Sequence, residues 1–310
     1  MDEANKTCGE IEEIIDEVEQ RFKQIRKFDK LFYPPCDHYY LKYGRNSKNM
    51  ASGTAFRQRI EKEWLLLENN LPSSIFVKSY EKRIDLMRTV VIGPPHTPYA
   101  HGLFFFDVLF PRNYPNCPPR LHYHSYDLDS NPYLNPKGKV SLSLLEYGRS
   151  VTNWYCRAQG NWNPHKSNIL QVLTAVQTSI LSNNLLNPSG GEGLQVSHNS
   201  VWLKYKKAFT LTCKGMLYML MAPPMNFQDF VEGHFRTRAH YILLNYRKQM
   251  DDNFMLKLFH ELYRAFEQNG TYCKHHPWVV LIGVDLPAEK KTNSKRFVKN
   301  VATTFSNLLN

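Results

Sequence analysis

Four short runs, IFVKSYE, LMRTVVIG, GLFFFDVLF and PRLHYHS, follow one another between Leu71 and Ser125 with no helical stretch between them. Each is short, apolar and rich in β-branched or aromatic residues, the texture of a strand. The connections include GPPHTPYAHG and PRNYPNCPP, where proline fixes φ and blocks helix formation. Strands in succession without intervening helices predict an antiparallel four-strand meander. This meander constrains the fold more than any other feature of the chain.

Its flanks are helical. FRQRIEKEWLLLENNLP precedes the meander as a helix that Pro72 stops. A long loop with little periodicity, Tyr126 to His165, follows it, and a loop of that length in a compact domain usually carries function. Helical periodicity returns in SNILQVLTAVQTSILSNN and in later segments, followed by the apolar run PWVVLIGV and a tail. That order gives an α+β domain. Near the N-terminus, Ile11, Ile14, Ile15, Val18, Phe22 and Ile25 recur at helical spacing, with Thr7 and Glu10 as a capping box. This helix is expected to pack on the body of the protein. The stretch YPPCDHYYLKYGRNSKNMASG, full of turn formers, is read as a linker.

At 310 residues the chain is long enough for one large domain with appendages, or for two domains, and 42% hydrophobic residues allow a sizeable core. No apolar run reaches bilayer length, and the acidic start MDEANKTCGEIEE is not laid out as a secretory signal. A soluble protein of the cytoplasm, the nucleus or both is expected. Lys plus Arg number 39 against 28 Asp plus Glu, a net charge of +11. The charges are scattered, so they predict a solvated basic surface rather than a nucleic-acid site. Cys8, Cys36, Cys117, Cys156, Cys213 and Cys273 show no paired spacing, so no zinc site is expected, and free thiols are favoured over disulfides.

Three segments carry a family resemblance. They are Tyr114-Pro115-x-x-Pro118-Pro119, then Gly138-Lys139-Val140-x-Leu142-Ser143-Leu144-Leu145, then Trp162-x-Pro164-x-x-Ser167-x-x-Leu170-Gln171-Val172-Leu173. In this order they resemble the core domain of ubiquitin-conjugating enzymes, especially its large-protein branch of plant phosphate-response enzymes and animal hybrid conjugating-enzyme/ligase proteins. The likeness runs from about Thr54 to Met221, with a weaker echo in PPMNFQDFVEGHF. It implies the ubiquitin-conjugating-enzyme fold and divides the chain into an N-terminal helix and linker (1–53), a core (54–221) and a C-terminal helical extension (222–310).

The resemblance implies thioester relay chemistry. In the family a cysteine accepts ubiquitin from an activating enzyme and passes it to lysine, usually with a ligase, and an asparagine eight positions earlier steadies the oxyanion. This chain has Ser141 at the cysteine position and Tyr133 at the asparagine position, within Asn131-Pro132-Tyr133. NNLLNPSGGEG replaces the branch's acidic and aromatic rim, and EYGRSVTNWYCRAQGN lengthens the loop. A serine hydroxyl needs a positioned base, and His122, His124 and His165 qualify by type alone. On the family layout the first two belong to a strand away from the loop. Cys156 is the alternative nucleophile, with only Arg157 beside it to favour a thiolate. Asn116, Pro164 and His165 match positions where family members touch ligases. Expected partners are ubiquitin or a ubiquitin-like modifier, an activating enzyme, and a ligase or substrate protein; no metal or organic cofactor is implied. Three readings stand: a conjugating-enzyme-like binding or regulatory module without standard thioester activity; an active conjugating enzyme whose cysteine was exchanged for serine or whose activity uses Ser141 or Cys156; and a structural interaction domain of the same fold.

Overall fold

The computed structural model describes residues 16–42, 54–145, 162–182, 198–249 and 253–273. The meander forms as expected. Strands β2 (Ile75–Tyr80), β3 (Leu86–Ile92), β4 (Leu103–Leu109) and β5 (Arg120–Tyr123) pair antiparallel in chain order. A further strand, β1 (Phe28–Leu31), joins as a parallel edge, with Phe28 opposite Val77. The linker reading needs correction here. After β1, Tyr39–Lys42 closes as a turn of 3-10 helix, and His38 and Tyr40 are buried. The His38 ring bonds the Met87 carbonyl at 3.1 Å, and the Tyr39 amide donates to Asp107 at 2.7 Å. The segment was polar enough to resemble a linker because its polar groups satisfy others inside the fold.

Helices cover both faces of the sheet. On one face, α2 (Thr54–Asn70) and α3 (Ile169–Ala175) bury Ile60, Trp64, Leu67, Val172 and Leu173 against Met87, Phe104 and Phe106. On the other, α4 (His198–Met221), α5 (Gln228–Gln249) and α6 (Asn253–Gln268) pack with Val90, Leu103 and Phe105. Successive side chains of a strand alternate between faces, so Phe105 enters one core while Phe104 and Phe106 enter the other. A sheet covered on both sides needs apolar residues throughout, and β4 is buried at every position. Beyond α3 the chain widens into one turn of π-helix, Val176–Ile180.

The N-terminal helix does pack on the body. Described as α1 (Glu17–Gln24), it is capped by Asp16, whose carboxylate accepts from the Val18 and Glu19 amides; Thr7 and Glu10 lie outside the described residues. It lies on α5 at Gly233, where a Cβ would come within 2.4 Å of the Phe22 Cβ, so only glycine admits this approach. The Asp16 carboxylate also pairs with the Arg236 guanidinium at 2.5 Å. Burial is the largest influence on Asp16, but these bonds outweigh it and hold its pKa below the ordinary value.

An ionic cluster sits inside the fold. Arg88 and Asp107 face each other across β3 and β4, both wholly buried, joined by bonds of 2.6 and 3.0 Å. Asp107 also accepts from the Tyr39 amide and meets His124 Nε2 at 2.9 Å. Arg88 reaches the Asp37 carboxylate and the Met225 carbonyl. The cluster therefore ties the N-terminal arm and the α4–α5 connection to the sheet.

Candidate functional site

The loop after β5 is built from backbone bonds and one asparagine. Short bridges pair Asn131 with Leu134, Leu134 with Val140, and His122 with Lys139. Asn131 is buried. Its amide donates to the Tyr99 hydroxyl at 2.9 Å and the Ile180 carbonyl at 2.8 Å, while its oxygen accepts from the Tyr133 amide at 2.8 Å. Gly138 turns the hairpin at φ 81, and a Cβ there would strike the His122 ring. Ser141 then donates its amide to the Tyr133 carbonyl at 2.8 Å. The two positions singled out in the sequence thus lie side by side. Tyr133 is exposed and Ser141 half-buried.

No base serves the Ser141 hydroxyl among the described residues. His122 is close in the chain fold to Gly138 and Lys139, nearer than expected for a strand away from the loop, but its ring stacks on Tyr39 at 3.4 Å. Burial, then the neighbouring His124, pushes the His122 pKa down to about 4, so the ring is neutral at neutral pH. His124 is engaged by Asp107, and His165 is an exposed residue on another loop. Cys156 and the NNLLNPSGGEG rim, which begins at Asn183, lie outside the described residues. The free-thiol expectation holds for Cys36, Cys213 and Cys273, whereas Cys117 is disulfide-bonded.

Asn116, Pro164 and His165 fall on two loops that the structure joins. Trp162 Nε1 donates to the Pro115 carbonyl at 2.7 Å, and its ring lies 5.8 Å from that of Tyr114. Asn116 and His165 are exposed and Pro164 is half-buried. Beneath them lies Glu63, which the sequence reading did not single out. Its carboxylate accepts from the Tyr114 hydroxyl at 2.6 Å and the Ile169 amide at 3.1 Å, and pairs with Arg59 at 2.7 Å. One buried carboxylate thereby fixes α2, the proline loop and the start of α3 to one another. Its signal was its place on the buried stripe Ile60, Glu63, Trp64, Leu67, a charge where the helix period calls for an apolar residue.

Residues 59–214 match the ubiquitin-conjugating enzyme family. The chain belongs to that family. Ubiquitin-conjugating enzyme E2 38 of Arabidopsis thaliana is 37% identical over 232 residues, covering 73% of this chain and 68% of the plant protein. Ubiquitin-conjugating enzyme E2 23 of the same plant is 39% identical over 224 residues, 71% of this chain but 19% of its own length. The dual E2 ubiquitin-conjugating enzyme/E3 ubiquitin-protein ligase BIRC6 of Homo sapiens is 38% identical over 152 residues, 47% of this chain and 3% of that protein. The ubiquitin-conjugating fold and the two branches named from the three sequence signatures are thereby supported, and this chain spans a minor part of its larger relatives.

Proposed function

We propose that this protein is a ubiquitin-pathway binding or regulatory module built on a conjugating-enzyme fold, without standard thioester activity. The observation that carries this reading is the Ser141–Tyr133 pair. The loop that, by the sequence resemblance, would present a nucleophile is held here by short bridges and backbone bonds, yet it offers a hydroxyl with no base beside it among the described residues and a phenol in place of an amide. An alcohol un-ionised at neutral pH is a poor acceptor of an acyl group, and a thiol is a far better one. The exposed Asn116 and the adjoining Pro164–His165 turn support a retained surface for ligase-type partners. Ubiquitin or a ubiquitin-like modifier and its activating enzyme are the other partners this reading calls for.

A second reading, an active enzyme whose cysteine was exchanged for serine, is favoured by the same ordered loop. The test is a single-turnover assay with activating enzyme, ATP and ubiquitin on non-reducing gels, followed by discharge to free lysine. The native chain is expected to form no thiol-sensitive adduct. Ser141→Cys is expected to charge but discharge slowly, since one missing oxyanion donor typically costs about 10²–10³ in rate. Ser141→Cys with Tyr133→Asn should discharge faster. Brisk discharge by Ser141→Cys with Tyr133 in place would refute the disabled reading in favour of the second. An adduct of the native chain that is lost on Cys156→Ser would make Cys156 the nucleophile.

A further inference from the structure

A groove of about 770 Å³ opens at the end of the sheet where β2 begins and β3 ends. This is the opposite end from the Tyr114–Pro119 loop, which follows the last residue of β4. Its size lies within the range of ligand-binding clefts. The floor is apolar, made by Phe22 of α1, Phe76 of β2, Ile92 of β3 and the Pro94–Pro95 pair. One wall is the π-helical turn, presenting Gln177, Thr178 and then Ser182. Gln177 is fixed there, its amide donating to Ser74 Oγ at 2.7 Å and to the Ile92 carbonyl at 3.2 Å. The facing wall belongs to α5 and offers His234 and Arg238.

Charge settles what this groove suits. Among the described residues no aspartate or glutamate lines it, and Arg238 is exposed with no carboxylate partner. Its guanidinium lies 6.0 Å from the Tyr241 ring, which is 60% exposed and itself 6.4 Å from the His101 ring. Burial, then the Arg238 charge, lowers the His101 pKa, leaving a neutral ring that bonds without adding charge. An unpaired arginine and an exposed tyrosine beside an aromatic floor are the side chains that dominate binding energy where proteins meet. We propose that this groove docks a short segment of a partner protein in which a carboxylate sits beside large apolar side chains, the carboxylate on Arg238 and the apolar groups on Phe76, Ile92 and Pro94. The site shares no residue with the Ser141 loop, so it stands or falls independently of thioester chemistry.

The probe is a displayed library of random linear peptides selected on the full chain, with the enriched peptides then synthesised and titrated by fluorescence anisotropy. Arg238→Glu reverses the charge and Thr178→Trp fills the groove from the other wall; both replace exposed side chains, and thermal melting verifies that each variant folds. The expected result is a consensus of Asp or Glu next to an aromatic or leucine. Its affinity should fall about tenfold or more with either variant. Selection on Arg238→Glu should then yield peptides with Lys or Arg in place of the acid. Peptides that bind both variants as well as the native chain, or an absence of enrichment, would overturn the proposal. So would binding that emerges only when residues 274–310 are removed, since the occupant would then be this chain's own tail.

Discussion

Replacing Asp107 by asparagine tests whether the buried ionic cluster organises the fold. The native carboxylate faces Arg88 Nε at 2.6 Å and its terminal nitrogen at 3.0 Å, the Tyr39 amide at 2.7 Å and His124 at 2.9 Å. An asparagine keeps one acceptor oxygen and turns an N–H₂ toward these donors, leaving the Arg88 charge deep in the protein. Breaking a buried pair by removing one partner typically destabilises by about 3–5 kcal/mol. Asp37 still reaches Arg88 at 2.8 Å, so the lower end, about 3 kcal/mol, is expected. In urea that amounts to a midpoint about 1 M lower, for a slope near 3 kcal/mol per M. The partner experiment is Arg88→Met alone and combined with Asp107→Leu, because removing both charges leaves no orphan. The double variant should be less destabilised than the two single changes add up to, with a coupling of about 2 kcal/mol. Burial works against ionisation of Asp107, yet His124 and Arg88 hold its pKa far below the usual carboxylate range. A depressed carboxylate contributes stability that is fully present well above its unfolded value of about 3.9 and is lost progressively as pH falls from there toward the folded one, so the loss begins in mildly acid solution and ends only in strongly acid solution. An Asp107→Asn variant within 1 kcal/mol of native, or additive single and double variants, would refute the reasoning.

Two further outcomes follow from the helical layer. Gly233→Val places a side chain where Phe22 now lies and should release α1 from α5; trypsin is expected to cut near Lys23 much faster in the variant, and unchanged cleavage would show that α1 does not depend on this approach. His234 is buried, which pushes its pKa down to about 4 despite its bond to the His101 carbonyl. It stays neutral in the fold while the unfolded chain takes up a proton below about 6.5, so stability is held above that pH and lost as pH falls toward 4, by about 3 kcal/mol at the limit. Urea midpoints of the native chain and His234→Gln, measured from pH 7.5 down to 4.5, should converge at the acid end; parallel profiles would contradict this.

What was legible in the sequence followed from period and punctuation. The meander was plain because apolar runs alternated with proline-rich turns, and α2 was plain because Pro72 ends it. Strand β1 was not, since FDKL is a four-residue edge whose pairing partner, β2, lies across the whole of α2. Local pattern cannot announce a pairing that depends on distant chain. Arg88 and Asp107 were present in the text as single opposite charges inside the apolar runs LMRTVVI and LFFFDVL. Two such charges in neighbouring strands are a legible sign of a buried pair, because neither is tolerated alone.

At the candidate site, shape and chemistry rest on different atoms. The loop is held by the Asn131 side chain, by the backbone of Tyr133, Asn135, Gly138 and Lys139, and by a Ser125 hydroxyl that donates to the Pro136 carbonyl. Ser141 contributes its amide to this frame and Tyr133 its amide and carbonyl; neither side chain takes part. The frame of the loop therefore does not depend on the side chains of Ser141 and Tyr133, whatever chemistry they carry. This makes Ser141→Cys and Tyr133→Asn structurally silent substitutions, so a change in charging or discharge would report the chemistry of the two side chains and not a rebuilt loop.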